Sequence, residues 1–336
     1  MTPRRRTSGL AAALLAAAAL ACASPALAAP GAPATAHAGA TATQVPAAAQ
    51  RTAAGFWTTA RLRGARDVTA AVPAAGRAIA APGGPTVTVA PRPAPGRTAT
   101  TRAVAAPAAS SPTAWTGGGL IATTEGKVFF QNASGGTFAC SATVANSDNK
   151  SVVLTAGHCV VDASTGEVYR NWVFIPGYAN GNRPYGTFTA SALFHRDEYV
   201  STGGNANYDF AFARLSPLNG RTLADTVGAQ GIAFNSPTGQ HVHSFGYGGS
   251  AAEGGGERLN HCEGTEFLDT GRAGSTMWGI DCVQTGGSSG GGFLSGFDTS
   301  TGGGYLVGNI SVSAGGNEYH PYLGNEALSL YQQAGA

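Results

Sequence analysis

Two textures divide the chain by where its apolar residues fall. From residue 116 onward they come in short runs, Lys127–Phe130, Ser151–Thr155, Phe210–Phe212 and Tyr305–Val312, separated by turns rich in Gly, Asn, Asp and Pro. Runs of this length, bounded by turn residues, predict strands, and their number predicts an all-β sandwich or barrel. Only Glu326–Gln333 reads as a helix. About 220 residues suffice to bury roughly 70% of the unfolded surface, so this part forms a domain with its own core. Between Ala29 and Trp115 the pattern is different: Pro and Gly interrupt every apolar run, and Phe56 and Trp57 supply nearly all the aromatic content. Such a segment cannot build a core alone. Its patches Phe56–Leu62 and Thr86–Val89 predict strands that form only against a partner. The expected organisation is therefore a dependent segment over 29–115 and a folded domain over 116–336, with a linker of no role as the alternative for the former.

The first 28 residues carry the three parts of a secretory signal: Arg4–Arg6, an apolar stretch from Gly9 to Ala21, and Ala26-Leu27-Ala28 before the expected cleavage. The apolar stretch is shorter than the roughly 20 residues of a membrane span, and no second candidate follows. Cys22 suggests lipidation, but Ala19 stands where a larger aliphatic residue is usual. The expected product is secreted, extracellular, monomeric and free of the membrane once the signal is removed. Removal leaves Cys140, Cys159, Cys262 and Cys282, an even number in an exported chain, so two disulfides are expected. Four cysteines permit three pairings; the local one, Cys140–Cys159 with Cys262–Cys282, closes two short loops. The alternative of a zinc site lacks any Cys-x-x-Cys pair.

Charge sharpens the division. Through Trp115 there are eleven Arg, no Lys and one acid, Asp67, whereas residues 116–336 hold nine basic and seventeen acidic residues. The overall +2 thus conceals a basic leader and an acidic body. An acidic body without basic clusters excludes nucleic acid as the partner. Residues 29–115, at +7 against a body at −8, are expected to dock on it by electrostatic attraction.

Three islands carry nucleophilic chemistry. A serine hydroxyl needs a base within hydrogen-bond reach, and that base needs a third group to hold its tautomer. Thr155-Ala156-Gly157-His158-Cys159 ends an apolar strand, so His158 sits on a turn that a disulfide from Cys159 stiffens; it is the expected general base. Gly286-Gly287-Ser288-Ser289-Gly290-Gly291-Gly292 is a turn whose glycines let backbone N–H groups approach a carbonyl. Ser289 is the expected nucleophile, with the amides of Gly287 and Ser289 as oxyanion hole. A flexible Gly/Ser loop is the alternative, but apolar flanks at Trp278-Gly279-Ile280 and Phe293-Leu294 argue for an ordered turn. The third member must be a partly buried acid, and Asp209 in Tyr208-Asp209-Phe210-Ala211-Phe212 has apolar neighbours; Asp162 and Asp197 lie in polar surroundings. His241 and His243, two apart on a predicted strand, share a face, but no Cys or acid accompanies them in sequence, so no metal is expected. His195, His261 and His320 read as surface or packing residues. No cofactor motif is present.

These islands, in the order His, Asp, Ser, resemble the chymotrypsin-like serine peptidases, and the resemblance covers nearly all of 118–336. Phe138-Ala139-Cys140-Ser141-Ala142 is similar to the family's strand before the His loop, and Leu306–Ser313 to its substrate-binding strand. The segment Asp281–Gly291 most resembles bacterial secreted members related to glutamyl endopeptidases. The resemblance implies two packed six-stranded antiparallel β-barrels, polypeptide substrates, and Ser311, Val312 and Ser313 pairing with the peptide backbone, while residues 29–115 are expected from their own composition to be a prosegment. It puts Val283 near the base of the primary specificity pocket, where trypsin-like members carry Asp, and Ile310 where glutamyl endopeptidases carry His. An apolar or broad preference is expected from these two positions. Ser288 replaces the Asp that pairs with a new N-terminus in many animal members, and Gly292 replaces their Pro. Two other functions keep the same framework: an esterase with the same triad, and a secreted binding module without turnover, which usually lacks a triad member.

Overall fold

The computed structural model describes residues 1–2, 39–68, 84–96 and 111–336. The chain divides into two compact units, Met1–Ala36 and His37–Ala336, and every strand and helix among the described residues belongs to the second. The predicted export signal, with Cys22, lies outside the described residues but for its first two positions.

Six strands, β1 (Glu125–Gln131), β2 (Thr137–Ala145), β3 (Val152–Thr155), β4 (Arg170–Pro176), β5 (Phe188–Arg196) and β6 (Ala211–Leu215), close into an antiparallel barrel in the order β5-β6-β3-β2-β1-β4 and back to β5. The unbroken apolar run in β1 follows from burial on both faces. Val128 and Phe130 point into the core with Val144, Val153 and Phe174, while Phe129 packs outward against Trp57, Val173, Ile175 and Tyr178. A strand covered on one side only would alternate apolar with polar residues.

The expected second barrel is not closed by hydrogen bonds. Residues Gly231–Phe234 (β7), His241–Gly246 (β8), Asn260–Thr265 (β9), Phe267–Leu268 (β10), Trp278–Ile280 (β11), Gly292–Asp298 (β12), Gly303–Asn309 (β13), Val312–Ala314 (β14) and Asn317–His320 (β15) split into two sheets. One has the order β7-β13-β12-β8-β9, the other β10-β11-β15-β14. The ladder breaks where β13 was expected to run on to Val312. There the Ile310 N–H donates to the Gly291 carbonyl (2.8 Å) and the Ile310 carbonyl accepts from the Gly290 N–H (2.7 Å). Backbone groups committed to the glycine turn cannot continue a sheet.

Residues before 116 are woven into the same unit. Ala40–Gln44 pairs with β5, Val87–Val89 with β7 and Thr113–Ala114 with β9, all antiparallel, while Arg66–Asp67 runs parallel to β2. The strand expected at Thr86–Val89 forms; the one expected at Phe56–Leu62 does not. Helices occupy Ala47–Phe56 and Thr59–Gly64 instead, because an alanine-rich run favours helix and the Thr58 hydroxyl caps the second by accepting from the Arg61 N–H (3.3 Å). At the other end of the chain the helix Asn325–Gly335 buries Ala327, Leu330, Tyr331 and Ala334 against Phe212 and Phe234. Arg214 donates to its last carbonyls at Gln333 and Ala334, which no intrahelical amide can reach.

Candidate active site

The imidazole of His158 is placed by a single helical turn, Gly157–Cys159, that ends β3. The disulfide Cys140–Cys159 ties that turn to β2, and Cys262–Cys282 joins β9 to the segment before the Ser289 turn, which is the local pairing. Asp209 reaches the same point from the start of β6. Its Oδ1 accepts from the His158 backbone N–H and its Oδ2 faces His158 Nδ1, both at 2.8 Å. A Cβ at position 157 would stand 3.1 Å from Asp209 Oδ1, so the small residue before His158 lets the carboxylate in.

Asp209 is 2% exposed. Burial opposes its ionisation, but the His158 ring, the Ser311 hydroxyl and the His158 amide outweigh that cost and hold the carboxyl below its ordinary range. Ser311 Oγ donates to Oδ2 at 2.5 Å, and Asn309 Nδ2 donates to the Asp209 carbonyl at 3.0 Å. Ser311 thus supports the acid as well. Its side chain serves the acid, and its backbone N–H is already donated to the Tyr319 carbonyl (3.0 Å). Val312 and Ser313 remain on β14, which is the edge strand of its sheet. Asp197 is exposed and accepts from the Thr41 hydroxyl, whereas Asp162 accepts from Ser164 in a turn of its own.

The turn carrying Ser289 is ordered. Gly287 and Gly290 have φ of +95° and +88°, and a Cβ on Gly290 would collide with the Ser141 carbonyl. The Ser141 N–H donates to the Ser289 carbonyl (2.8 Å), the Ser141 hydroxyl to the Gly287 carbonyl (2.9 Å), and the Ser288 hydroxyl to the Thr285 carbonyl (2.7 Å). No hydrogen bond joins Ser289 to His158: Nε2 of His158 is buried and has no partner among the described residues. The structure therefore joins His158 to Asp209 and leaves the bond to the serine unmade. The amide of Gly287 is engaged, donating to the Val68 carbonyl at 2.9 Å.

Val283 is half-buried, and its neighbour Gln284 belongs to a cluster that the sequence did not reveal. The Gln284 N–H donates to Glu318 Oε2 (2.9 Å), its side chain to the Ser244 hydroxyl (3.2 Å), and Ser244 in turn to Glu318. Burial pushes the Glu318 carboxyl up to about 7, against the hydrogen bonds that favour its charged form. An acid beside two aromatic residues in Glu318-Tyr319-His320 was the available signal. His195, His261 and His320 are all buried, so they are packing residues and not surface ones.

The chain is similar to several known proteins. The sequence model of the Trypsin family matches residues 118–325. A glutamyl endopeptidase of Bacillus licheniformis is 33% identical over 104 residues, 30% of this chain and 31% of that protein, so the match spans about a third of that relative's length. The crystal structure of the protease Anisep from Arthrobacter nicotinovorans is 37% identical, covers 67% of this chain and 99% of its own, and superposes with a TM-score of 0.61. The thermostable serine protease AL20 from an extremophilic microorganism is 36% identical, covers 64% of this chain and 98% of its own, and gives 0.57.

Proposed function

The chain belongs to the trypsin family of serine endopeptidases, and from that premise we propose that it hydrolyses peptide bonds through an acyl-enzyme, with His158, Asp209 and Ser289 as triad. The observation that carries the reading is the state of His158. Asp209 fixes the proton on Nδ1, which leaves a lone pair on a buried and unpartnered Nε2. That nitrogen accepts the Ser289 proton as Oγ attacks the scissile carbonyl, and Asp209 stabilises the imidazolium. The amides of Gly287 and Ser289 take the oxyanion, His158 returns the proton to the leaving amine, and water repeats the sequence to free the acid. A serine–histidine bond absent from the free site and made in the complex is common in such enzymes.

Among the described residues β14 has no partner on its outer edge, which suits an extended peptide that adds to it as a strand beside Val312 and Ser313. Val283 and Ile310 favour an apolar or broad preference at the residue before the cleaved bond. The two sheets β7–β15 are the counterpart of the second barrel. Residues 29–115 are the prosegment of a secreted precursor, and the bond from the Gly287 amide to the Val68 carbonyl supports this reading. A precursor with that contact intact has no free oxyanion donor at Gly287.

The test is labelling with a fluorophosphonate probe together with casein hydrolysis, after removal of the prosegment. Ser289→Ala and His158→Ala should each abolish labelling and lower kcat by about 10⁴–10⁶ with the fold intact. Near-normal hydrolysis by Ser289→Ala would reject the assignment. Turnover of small esters without casein cleavage would make the enzyme an esterase.

A further inference from the structure

The sequence sets His241 and His243 two apart on β8, where alternate side chains share a face, and the acid they lacked is supplied by the neighbouring strand. The antiparallel register places Glu263 of β9 directly opposite His243. Both imidazoles converge on one carboxylate oxygen, Nε2 of His241 at 3.3 Å and Nε2 of His243 at 3.2 Å from Glu263 Oε2. The three ligand atoms all lie within 4.8 Å of one another.

The two histidine–carboxylate spacings are those of a coordination shell. Zinc bonds to imidazole nitrogen and carboxylate oxygen are about 2.0–2.2 Å long, so two ligands at a tetrahedral angle stand roughly 3.3–3.5 Å apart. A hydrogen-bonded pair alone needs no second imidazole on the same oxygen. The side chains also differ in setting as a surface site requires. His243 is packed on Phe297 (ring centroids 4.8 Å) and is held by its surroundings, whereas the His241 side chain is 56% exposed and leaves a way in from solvent. We propose that His241, His243 and Glu263 form a site for a divalent transition metal, best suited to Zn²⁺, with water completing the shell. The ion crosslinks β8 to β9, on elements that hold none of the groups assigned to peptide hydrolysis. Binding therefore stabilises the fold by mass action and is independent of the triad.

The test uses the full chain carrying Ser289→Ala, to prevent self-cleavage, with ZnSO₄ and CoCl₂ as probes. Calorimetry should find Zn²⁺ binding that His158→Ala retains, thermal unfolding should shift upward with Zn²⁺, and Co²⁺ should show the intense visible bands of a tetrahedral site. His241→Ala, a change at an exposed position that leaves the core untouched, should weaken binding on the order of a hundredfold, at least the upper end of what losing an outer-shell partner costs. Glu263→Gln should do the same, with circular dichroism confirming the fold. Zn²⁺ binding that survives His241→Ala and is lost in His158→Ala would overturn the proposal and put the ion in the catalytic cleft; so would the absence of any binding at micromolar Zn²⁺.

Discussion

At the scale of single residues, the proposed chemistry depends on how many donors one carboxylate can gather. Asp209 accepts from the His158 amide, the His158 ring and the Ser311 hydroxyl, and only this set offsets its burial. Replacing the acid by an amide keeps the shape but lets the amide donate, which favours the wrong tautomer of His158. Asp209→Asn should therefore lower kcat by about 10⁴. Ser311→Ala removes one hydrogen bond to a charged group, about 1.5–3 kcal/mol at most, and should cost on the order of tenfold in kcat with KM little changed. Both follow from steady-state kinetics on one peptide substrate, normalised by active-site titration. An Asp209→Asn enzyme within tenfold of the parent would move the third role to another residue.

Among elements, the prosegment reading has an anchor and a strap. Trp57, 2% exposed, packs on Phe129 and donates from its indole to the Asn171 carbonyl (2.6 Å), while Arg183 donates to the Trp57 carbonyl (2.7 Å). From there the chain leads through Arg66–Asp67 to Val68 at the Gly287 amide. Removing a buried Trp costs about 3–5 kcal/mol. A separate prosegment added to processed enzyme should therefore inhibit it, and Trp57→Ala should weaken that inhibition by about 10²–10⁴. The charge imbalance predicted an electrostatic dock, yet among the described residues the contacts are mainly apolar and backbone ones. Two ion pairs join residues 29–115 to the body among the described residues, Arg92–Asp225 and, with the signs reversed, Asp67–Lys127. Inhibition constants measured at low and high salt should accordingly differ little; a steep salt dependence would restore the charge-based account.

For the molecule as a whole, buried carboxyls set the pH at which the fold is most stable. Glu318 rises from 4.5 to about 7 because it is fully buried, so the folded state binds a proton that the unfolded state has released. Stability from this group is complete below about pH 4.5, falls as pH climbs to about 7, and stays low above; the loss is roughly 3 kcal/mol. Asp209 acts in the opposite sense: depressed on folding, it adds stability above its ordinary range that is lost as pH falls. Denaturant unfolding of the Ser289→Ala chain at pH 5 and pH 8 measures the difference. Glu318→Gln should flatten the alkaline loss, since an amide can still meet Ser244 and the Gln284 amide without ionising. A pH dependence identical to the parent's would show that Glu318 keeps its proton at pH 8 or loses it without cost.

What the sequence determined by itself is local. Short apolar runs between turn residues marked β1, β3 and the strands flanking Ser289, and glycines marked the positive-φ positions 287 and 290. Asp209 was legible because an acid among aromatic residues is buried when its strand is, and neighbouring cysteines closed their own loops. The tertiary structure decided which groups meet across long separations: Ser311 with Asp209, Glu318 with Ser244 and Gln284, Val68 with Gly287, and Glu263 with two histidines. It also decided that the second set of strands would split into two sheets. The reason is physical. A residue's burial and turn preference are written in its neighbours, but its partner across a sheet is set by strand order and register, and these follow from packing the whole chain at once.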